Sequence, residues 1–348
     1  QIVQRKASEA TSEVDRCRDG TGKGVAEFYA RMIIQKRGEE RYRVARALHK
    51  YLSGEFRDES VEFQLEFINF IDSKPDSTEQ NFLFDLMNPR DAKSSEAEAN
   101  REAATILIVL LAEPMLTTEG GGARVVRFAH YLLKVLLTME ERGMELAARG
   151  LAFLIQVSKT YAAELVERCL DQSLEWAEED LSEKRRLASA ILLRELALFT
   201  STSFFLRANA FFRTIFRVIR FPKPNVRVAA ANALHAALGV TSQRETKQKS
   251  EWYKKCYQEA LSTLVETGDG LGKDERCHCM LLVLNELLRI ADAHTEKCVF
   301  VVLHASDRVR EEITVGGSPL DFLSAERFLT TVESRTAKAL VSENIKMV

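Results

Sequence analysis

Several things are missing from this sequence, and each absence excludes something. No apolar run reaches the roughly 20 residues that a membrane-spanning helix needs, the longest being about 103–112. The start, Gln1-Ile2-Val3-Gln4-Arg5-Lys6, stays polar and has no apolar core of the signal-peptide kind. No Asn-x-Ser/Thr sequon occurs, and no initiating Met, which reads as the mark of a fragment. Charge of one sign is absent too: 49 basic residues against 51 acidic leave a formal net charge of −2. That excludes a global basic field for nucleic acid or an anionic membrane and leaves room only for a local patch. Cysteine is sparse. Cys17, Cys169, Cys256, Cys277, Cys279 and Cys298 mostly sit inside helical patterns, as reduced thiols of a cytosolic or nuclear protein do. Kinase signatures are missing: there is no glycine-rich loop, no His-Arg-Asp run and no Asp-Phe-Gly, the nearest being Asp321-Phe322-Leu323.

What is present is helix. With 46% hydrophobic and 29% charged residues, the composition is that of a folded chain. Apolar residues recur at three- and four-residue steps, as at Leu187, Ala188, Ile191, Leu192, Ala197 and Leu198, and predict one broad stripe. The pattern predicts helices near 25–37, 39–57, 59–73, 78–87, 98–112, 122–138, 141–158, 160–179, 183–200, 203–220, 225–238, 247–267, 274–292 and 322–347. All six prolines (75, 89, 114, 222, 224 and 319) fall near expected helix boundaries. Glycines punctuate at 120–122, 239, 268–272 and 316–317. Asn225 after Pro224 reads as an N-cap, and Ser242 with Glu245 has capping-box spacing.

A repeat runs through these helices. Five segments share a charged start, small residues and then a Leu/Ile face, ending on Leu107, Leu151, Ile191, Leu234 and Leu281. The steps between these anchors are 44, 40, 43 and 47 residues, the period of HEAT and armadillo repeats. A sixth copy, Arg43-Val44-Ala45-Arg46-Ala47-Leu48, lies 59 residues upstream of Leu107, with the polar stretch from Asn88 to Ala97 as an inserted loop. One helix pair cannot bury both of its apolar faces, so pairs stack. Small residues such as Ala147, Ala148, Ala188, Ala229 and Ala230 let them approach. The fold class expected is all-α, a HEAT/armadillo-like helical-repeat solenoid or superhelix, an elongated curved rod. Its expected parts are a polar flexible leader over 1–24, the solenoid over 25–292 with its loop near 88–97, a variable loop over 293–321, and a further, truncated repeat over 322–348.

Candidate chemistry does not survive its own geometry. Gly20-Thr21-Gly22-Lys23-Gly24 has Cys17 where a phosphate loop needs glycine and Gly24 where it needs Ser or Thr. Cys277-His278-Cys279 sits on a predicted helix, where neighbours one and two apart point different ways, and a second ligand pair is missing nearby. Gly316-Gly317-Ser318-Pro319-Leu320 lacks the closing glycine of a nucleophile elbow. The aromatic stripe Phe204, Phe205, Phe211, Phe212, Ile215, Phe216 and Ile219, with Arg213, Arg217 and Arg220 alongside, has two readings. One is a membrane or nucleic-acid contact. The other, favoured because a stacked repeat needs that face for its neighbour, is a core helix with a solvated basic edge. Trp252-Tyr253 is placed in packing at a helix start. Arg124, Arg127, His130 and Tyr131 are expected to decorate an exposed ridge after the triple glycine, and Arg124, Arg127 and Tyr131 are the residues put forward for a partner contact, against the default of a solvated face. No catalytic, cofactor-binding or metal residue is assigned.

The order of several segments adds a resemblance. Gly121-Gly122-Ala123-Arg124-Val125-Val126-Arg127-Phe128-Ala129-His130-Tyr131-Leu132 is followed by Arg194-Glu195-Leu196-Ala197 and by the phenylalanine pairs at 204–205 and 211–212. Then come Thr241-Ser242-Gln243-Arg244-Glu245, Trp252-Tyr253, Leu282-Val283-Leu284-Asn285-Glu286-Leu287 and Val332-Glu333-Ser334-Arg335. In this order, across about 38–292 and 332–348, they resemble the N-terminal HEAT region of the TOR family of phosphatidylinositol-kinase-related protein kinases; 1–24, 75–97 and 294–330 match weakly. The resemblance implies a non-catalytic arm of a Ser/Thr kinase whose ATP and divalent-metal sites lie in a distant domain absent here. It implies protein partners: a Raptor-type subunit, other TOR segments or a second TOR copy, and a Rheb-type GTPase, with no nucleic acid and no membrane span. It implies a cytoplasmic setting, extending to lysosomal or endomembrane surfaces and the nucleus. The repeat alone leaves open a free-standing HEAT adaptor of the nuclear-transport or phosphatase-scaffold type.

Overall fold

The computed structural model describes residues 22–52, 64, 67, 68, 71, 82–87, 94–116, 120–158, 162–178, 182–244, 247–265 and 271–290. Among the described residues the regular elements are helices, with no strand. In order they are α1 (Gly22–Gln35), α2 (Gly38–Leu52), α3 (Phe82–Met87), α4 (Ser95–Leu116), α5 (Gly121–Leu136), α6 (Glu141–Val157), α7 (Ala162–Glu178), α8 (Glu183–Phe199), α9 (Ser201–Leu206), α10 (Ala208–Ile219), α11 (Pro224–Ser242), α12 (Lys247–Val265) and α13 (Lys273–Ile290). The chain divides into two compact units, residues 1–165 and 166–348.

In the first unit α1 packs on α2, and α4 lies between α2 and α6 while α5 rests on both α4 and α6. In the second unit α11 lies between α8 and α13, with α10 against α11 and α12 against α13. Each unit is a stack of helix pairs, the all-α arrangement of a HEAT/armadillo-type repeat solenoid. The repeat anchors occupy the second helix of each pair. Leu48, Leu107, Leu151 and Leu234 are fully buried, and Ile191 and Leu281 nearly so. The 40–47-residue period is therefore the spacing between successive second helices. The longer step from Leu48 to Leu107 holds α3 and helical residues at 64, 67, 68 and 71; 88–93, the bulk of the expected loop, lies outside the described residues, and α4 already begins at Ser95.

The second helices α4, α8 and α11 have almost no wet face. In α8 the residues from Arg186 to Leu193 and from Glu195 to Ala197 are buried, so the expected single stripe is replaced by burial on nearly all sides. Leu198, placed in that stripe, is instead 60% exposed. Ala147, Ala148, Ala188 and Ala230 are fully buried, and Ala229 nearly so; small side chains let axes approach at the short end of the usual 8–10 Å. Arginines close the turns leading into three of these helices. Arg41 Nε donates to the Lys36 carbonyl (3.0 Å), Arg227 Nη1 to that of Pro222 (3.0 Å) and Arg276 Nη1 to that of Leu271 (2.6 Å). Each reaches back five residues and satisfies a carbonyl that the turn has left without a helical partner.

Several local expectations need correction. The helix expected over 203–220 breaks at Arg207 into α9 and α10. The break brings the Phe204 and Phe211 rings to 5.3 Å, whereas seven residues of unbroken helix rise about 10.5 Å. Asn225 is not the N-cap of α11: Lys223 holds that place and Pro224 opens the helix, where a missing N–H costs nothing. Ser242 ends α11 instead of opening α12, its hydroxyl donating to the Gly239 carbonyl at 2.9 Å. Gly239 lies within α11, and Pro114 inside α4. The first helix starts at Gly22, inside the stretch read as a leader. The helix expected over 322–347 lies outside the described residues.

The triple glycine divides its work. Gly120 has φ 72°, a left-handed conformation that glycine adopts without penalty, and a Cβ on Gly121 would strike the Met115 carbonyl at the end of α4. Gly121→Ala is therefore expected to destabilise the fold in urea titration even though alanine is the better helix former. Leu234→Ala and Ile191→Ala should each cost about 2–5 kcal/mol; a loss below about 0.5 kcal/mol, typical of surface sites, would show that the repeat register is wrong.

Candidate partner-binding surfaces

Arg124, Arg127 and Tyr131 recur at three- and four-residue steps along α5 and so share one face of it. All three are half-buried, while His130 is exposed. The Arg127 guanidinium lies 5.6 Å from the Phe128 ring centroid, and the Phe128 and Tyr131 rings are 6.3 Å apart. Phe128 itself is fully buried. The face is thus a shallow basic–aromatic ridge over a buried phenylalanine, with its arginines held against the protein. It offers cations and a phenol, and no nucleophile or acid–base pair.

The aromatic stripe resolves as core. Phe204, Phe211, Phe212, Ile215, Phe216 and Ile219 are buried. Phe212 stacks on Trp252 of α12 with centroids 5.4 Å apart, and Phe205 meets Trp252 edge-on at 5.7 Å. The indole N–H donates to Asn209 Oδ1 at 2.8 Å, so Trp252 is buried with its one donor satisfied. Of the flanking arginines, Arg220 crosses to α12 and contacts Glu259 (2.9 Å), Ser262 (2.9 Å) and Thr263 (3.1 Å). Arg213 and Arg217 stay exposed.

The Cys277-His278-Cys279 run does not converge. Cys279 is buried and its thiol donates to the Ile219 carbonyl at 3.1 Å, holding α13 to the end of α10. His278 is half-buried, and burial first, then the charge of Arg227, pushes its pKa below the ordinary imidazole value. The side chain of Cys277 lies outside the described residues. No cluster of potential metal ligands occurs among the described residues. Burial pushes the Cys169 thiol up to about 12 and the Cys256 thiol upward as well, so neither supplies a thiolate near neutrality.

Two features escaped the sequence reading. At the α8–α9 corner Leu198 and Leu206 are 60% and 79% exposed, and the Arg244 guanidinium lies 4.3 Å over the half-buried Phe205 ring. The signal was there: three consecutive apolar residues, Phe204-Phe205-Leu206, cannot all face one side of a helix. On the second helices, His235 Nδ1 of α11 is 2.7 Å from Glu286 Oε2 of α13, within ion-pair range though out of line for a hydrogen bond. Arg289 approaches the same buried carboxylate at 3.1 Å.

No protein-family model matches the chain. A target of rapamycin homolog of Caenorhabditis elegans is 38% identical over an alignment that takes in 96% of this chain. This chain is a relative of the TOR kinases. The serine/threonine-protein kinase mTor of Drosophila melanogaster is 32% identical over 71% of the chain, and the serine/threonine-protein kinase TOR of Oryza sativa 30% identical over 71%. The chain spans only 13%, 10% and 9% of the lengths of these three TOR proteins. The resemblance read from the ordered segments is borne out, and the stretch shared with TOR kinases is helical among the described residues. No described helix is long and apolar enough to cross a membrane.

Burial of the thiols has a direct consequence. In the folded protein at pH 8, Cys169 and Cys256 should resist iodoacetamide and react within minutes only after denaturation, as read by mass spectrometry. Alkylation of either at native rates would contradict the packing of α7 or α12. For His278, a lowered folded-state pKa means that the unfolded chain takes up the proton first as pH falls. The stability tied to the neutral ring is present above the unfolded value of about 6.5 and declines below it. His278→Gln should therefore flatten the fall of the thermal midpoint between about pH 6.5 and 5.

Proposed function

We propose that this chain acts as a non-catalytic scaffold arm of a TOR-like Ser/Thr protein kinase, supporting assembly and dimerisation of the complex and docking a Raptor-type subunit in nutrient and growth signalling. The observation that carries the reading is the match to a TOR homolog along 96% of the chain at 38% identity, falling on stacked helix pairs. Repeat stacks suit that role because they present long rows of side chains without a central cavity. ATP and its divalent metal would belong to the kinase domain of the longer protein, and the setting would be cytoplasmic, extending to endomembrane surfaces and the nucleus. Other TOR segments, a second copy and a Rheb-type GTPase are the further partners in this reading. Arg124, Arg127 and Tyr131 are its contact residues, because arginine and tyrosine on a shallow ridge over a buried ring have the composition of interface hot spots.

Pull-down of purified TOR segments and of a Raptor-type subunit by the folded chain tests the proposal. Binding weakened about tenfold or more by Arg127→Ala with Tyr131→Ala, the loss of typical hot-spot contacts, is the expected result. A folded chain that captures neither protein would overturn the docking role. An antibody to residues 121–138 adds an independent readout. An endogenous band several times larger than 39.4 kDa agrees with an arm of a long kinase, and a band near that mass would put a free-standing HEAT adaptor in its place.

A further inference from the structure

From Leu196 to Arg244 the chain runs 49 residues without one Asp or Glu while carrying seven Lys or Arg. This occurs in a protein with 51 acidic residues in 348, a frequency at which so long a stretch would normally hold several. The arc covers α9, α10 and α11, so its cations must find carboxylates elsewhere or go without. Some find them. Arg207 reaches Asp171 of α7 at 3.4 Å, Arg220 reaches Glu259 of α12 at 2.9 Å and Arg227 reaches Glu275 of α13 at 3.7 Å. Arg244 lies on the Phe205 ring.

The other three have neither a carboxylate nor a ring among the described residues, and they follow one another closely along the chain. Arg213 and Arg217 stand one turn apart on the exposed side of α10, the first bonding only its own helix through the Asn209 carbonyl at 3.3 Å. Lys223 follows, exposed at the N-cap of α11. The start of α8 joins them, because Arg186 Nη1 donates to the Arg217 carbonyl at 3.1 Å and the same guanidinium covers the Phe221 ring at 5.0 Å. That contact brings half-exposed Lys184 and exposed Arg185 toward the same edge, beside exposed Glu183. The positive end of α11 opens here too, with no acidic residue in its first turn and no side-chain cap.

We infer that this edge, formed by Lys184, Arg213, Arg217 and Lys223 around the α10–α11 turn, docks an acidic segment of a partner protein. The chemistry favours a protein over other polyanions. Nucleic acid is held by stacking as well as by charge, and the ring at this edge, Phe221, is already covered by Arg186. A membrane surface needs an apolar face beside the basic one, and the apolar face of α10 is buried in the core. An extended Asp/Glu-rich peptide needs only spaced cations on a rigid support. The inference stands on this chain alone and does not depend on its role in a kinase.

The test is fluorescence anisotropy of a labelled ten-residue peptide of alternating Asp and Glu, titrated with the whole 348-residue chain at low salt. Binding is expected to weaken about tenfold or more in Arg217→Glu with Lys223→Glu, and to stay within about twofold in Lys134→Glu, an exposed cation of α5. Arg213→Gln with Lys223→Gln, which removes charge without reversing it, should weaken binding in the same direction and serves if the reversal variant does not fold. Single-stranded RNA of ten nucleotides and phosphatidylserine vesicles are titrated in parallel. No peptide binding, peptide binding indifferent to these substitutions, or RNA or vesicle binding at least as tight and lost in the same variants would each overturn the proposal.

Discussion

The second helices at the centre of each unit, α4 and α11, are pressed from both sides by another second helix and from a third by a first helix, so they must be buried nearly all round. Most of what is distinctive in the chain follows from that constraint. Side chains between α8 and α11 have to be small, hence the alanines of α11. Polar groups trapped there have to be paired within the stack: Ser189 Oγ donates to the Ser173 carbonyl at 2.6 Å, and Thr105 Oγ1 to that of Arg101 at 2.8 Å. Charges near the helix starts have to reach outward, which the arginines do by bonding turn carbonyls; bonds of this charge-assisted kind are worth about 1.5–3 kcal/mol each. Arg41 adds a contact to Glu102 of α4 at 2.8 Å and so ties one second helix to the next.

The first helices carry a different load. They keep one apolar face for the stack and leave the other to solvent, so their outward residues are free to vary. On α7 the outer face is mostly acidic, with Glu164, Glu167, Asp171, Glu175 and Glu178 exposed beside Arg168, and on α10 it is basic. The difference is invisible in the net charge of −2, which is summed over the whole chain. The buried layer thus sets the repeat, and the outer layer gives each helix pair its own surface.

The buried layer was readable from sequence because its signal is periodic. Leu107, Leu151, Ile191, Leu234 and Leu281 recur at steps of 40–47 residues, and every one sits in a second helix. Helix ends were less readable because several residues in a row could serve. At Lys223-Pro224-Asn225 the side chain that looked like a cap lost to a proline that needs none. The exposure of Leu206 escaped because the run Phe204-Phe205-Leu206 marks that one of the three must turn outward but not which one, and that choice follows from the helix break at Arg207. On the candidate surface, Arg124, Arg127 and Tyr131 were expected on an exposed ridge and are half-buried, because how far a side chain lies back on its neighbours depends on packing that helical spacing does not carry. The Arg244–Phe205 and His235–Glu286 contacts join residues 39 and 51 apart in sequence, and only the helix stack brings them together.

The arginines that reach back five residues also bear on how the protein comes apart and reforms. Each closes a loop so short that little chain entropy opposes it, and the extensive contacts join helices of the same or adjacent pairs. Structure of this kind needs no distant partner to begin, so a pair can nucleate wherever local stability is greatest and its neighbours can add on either side. The same locality works in reverse under tension. Among the described residues the extensive contacts within a unit stay local, so under a pull along the chain resistance would fall in steps, one helix pair at a time, with each re-forming once the load is released.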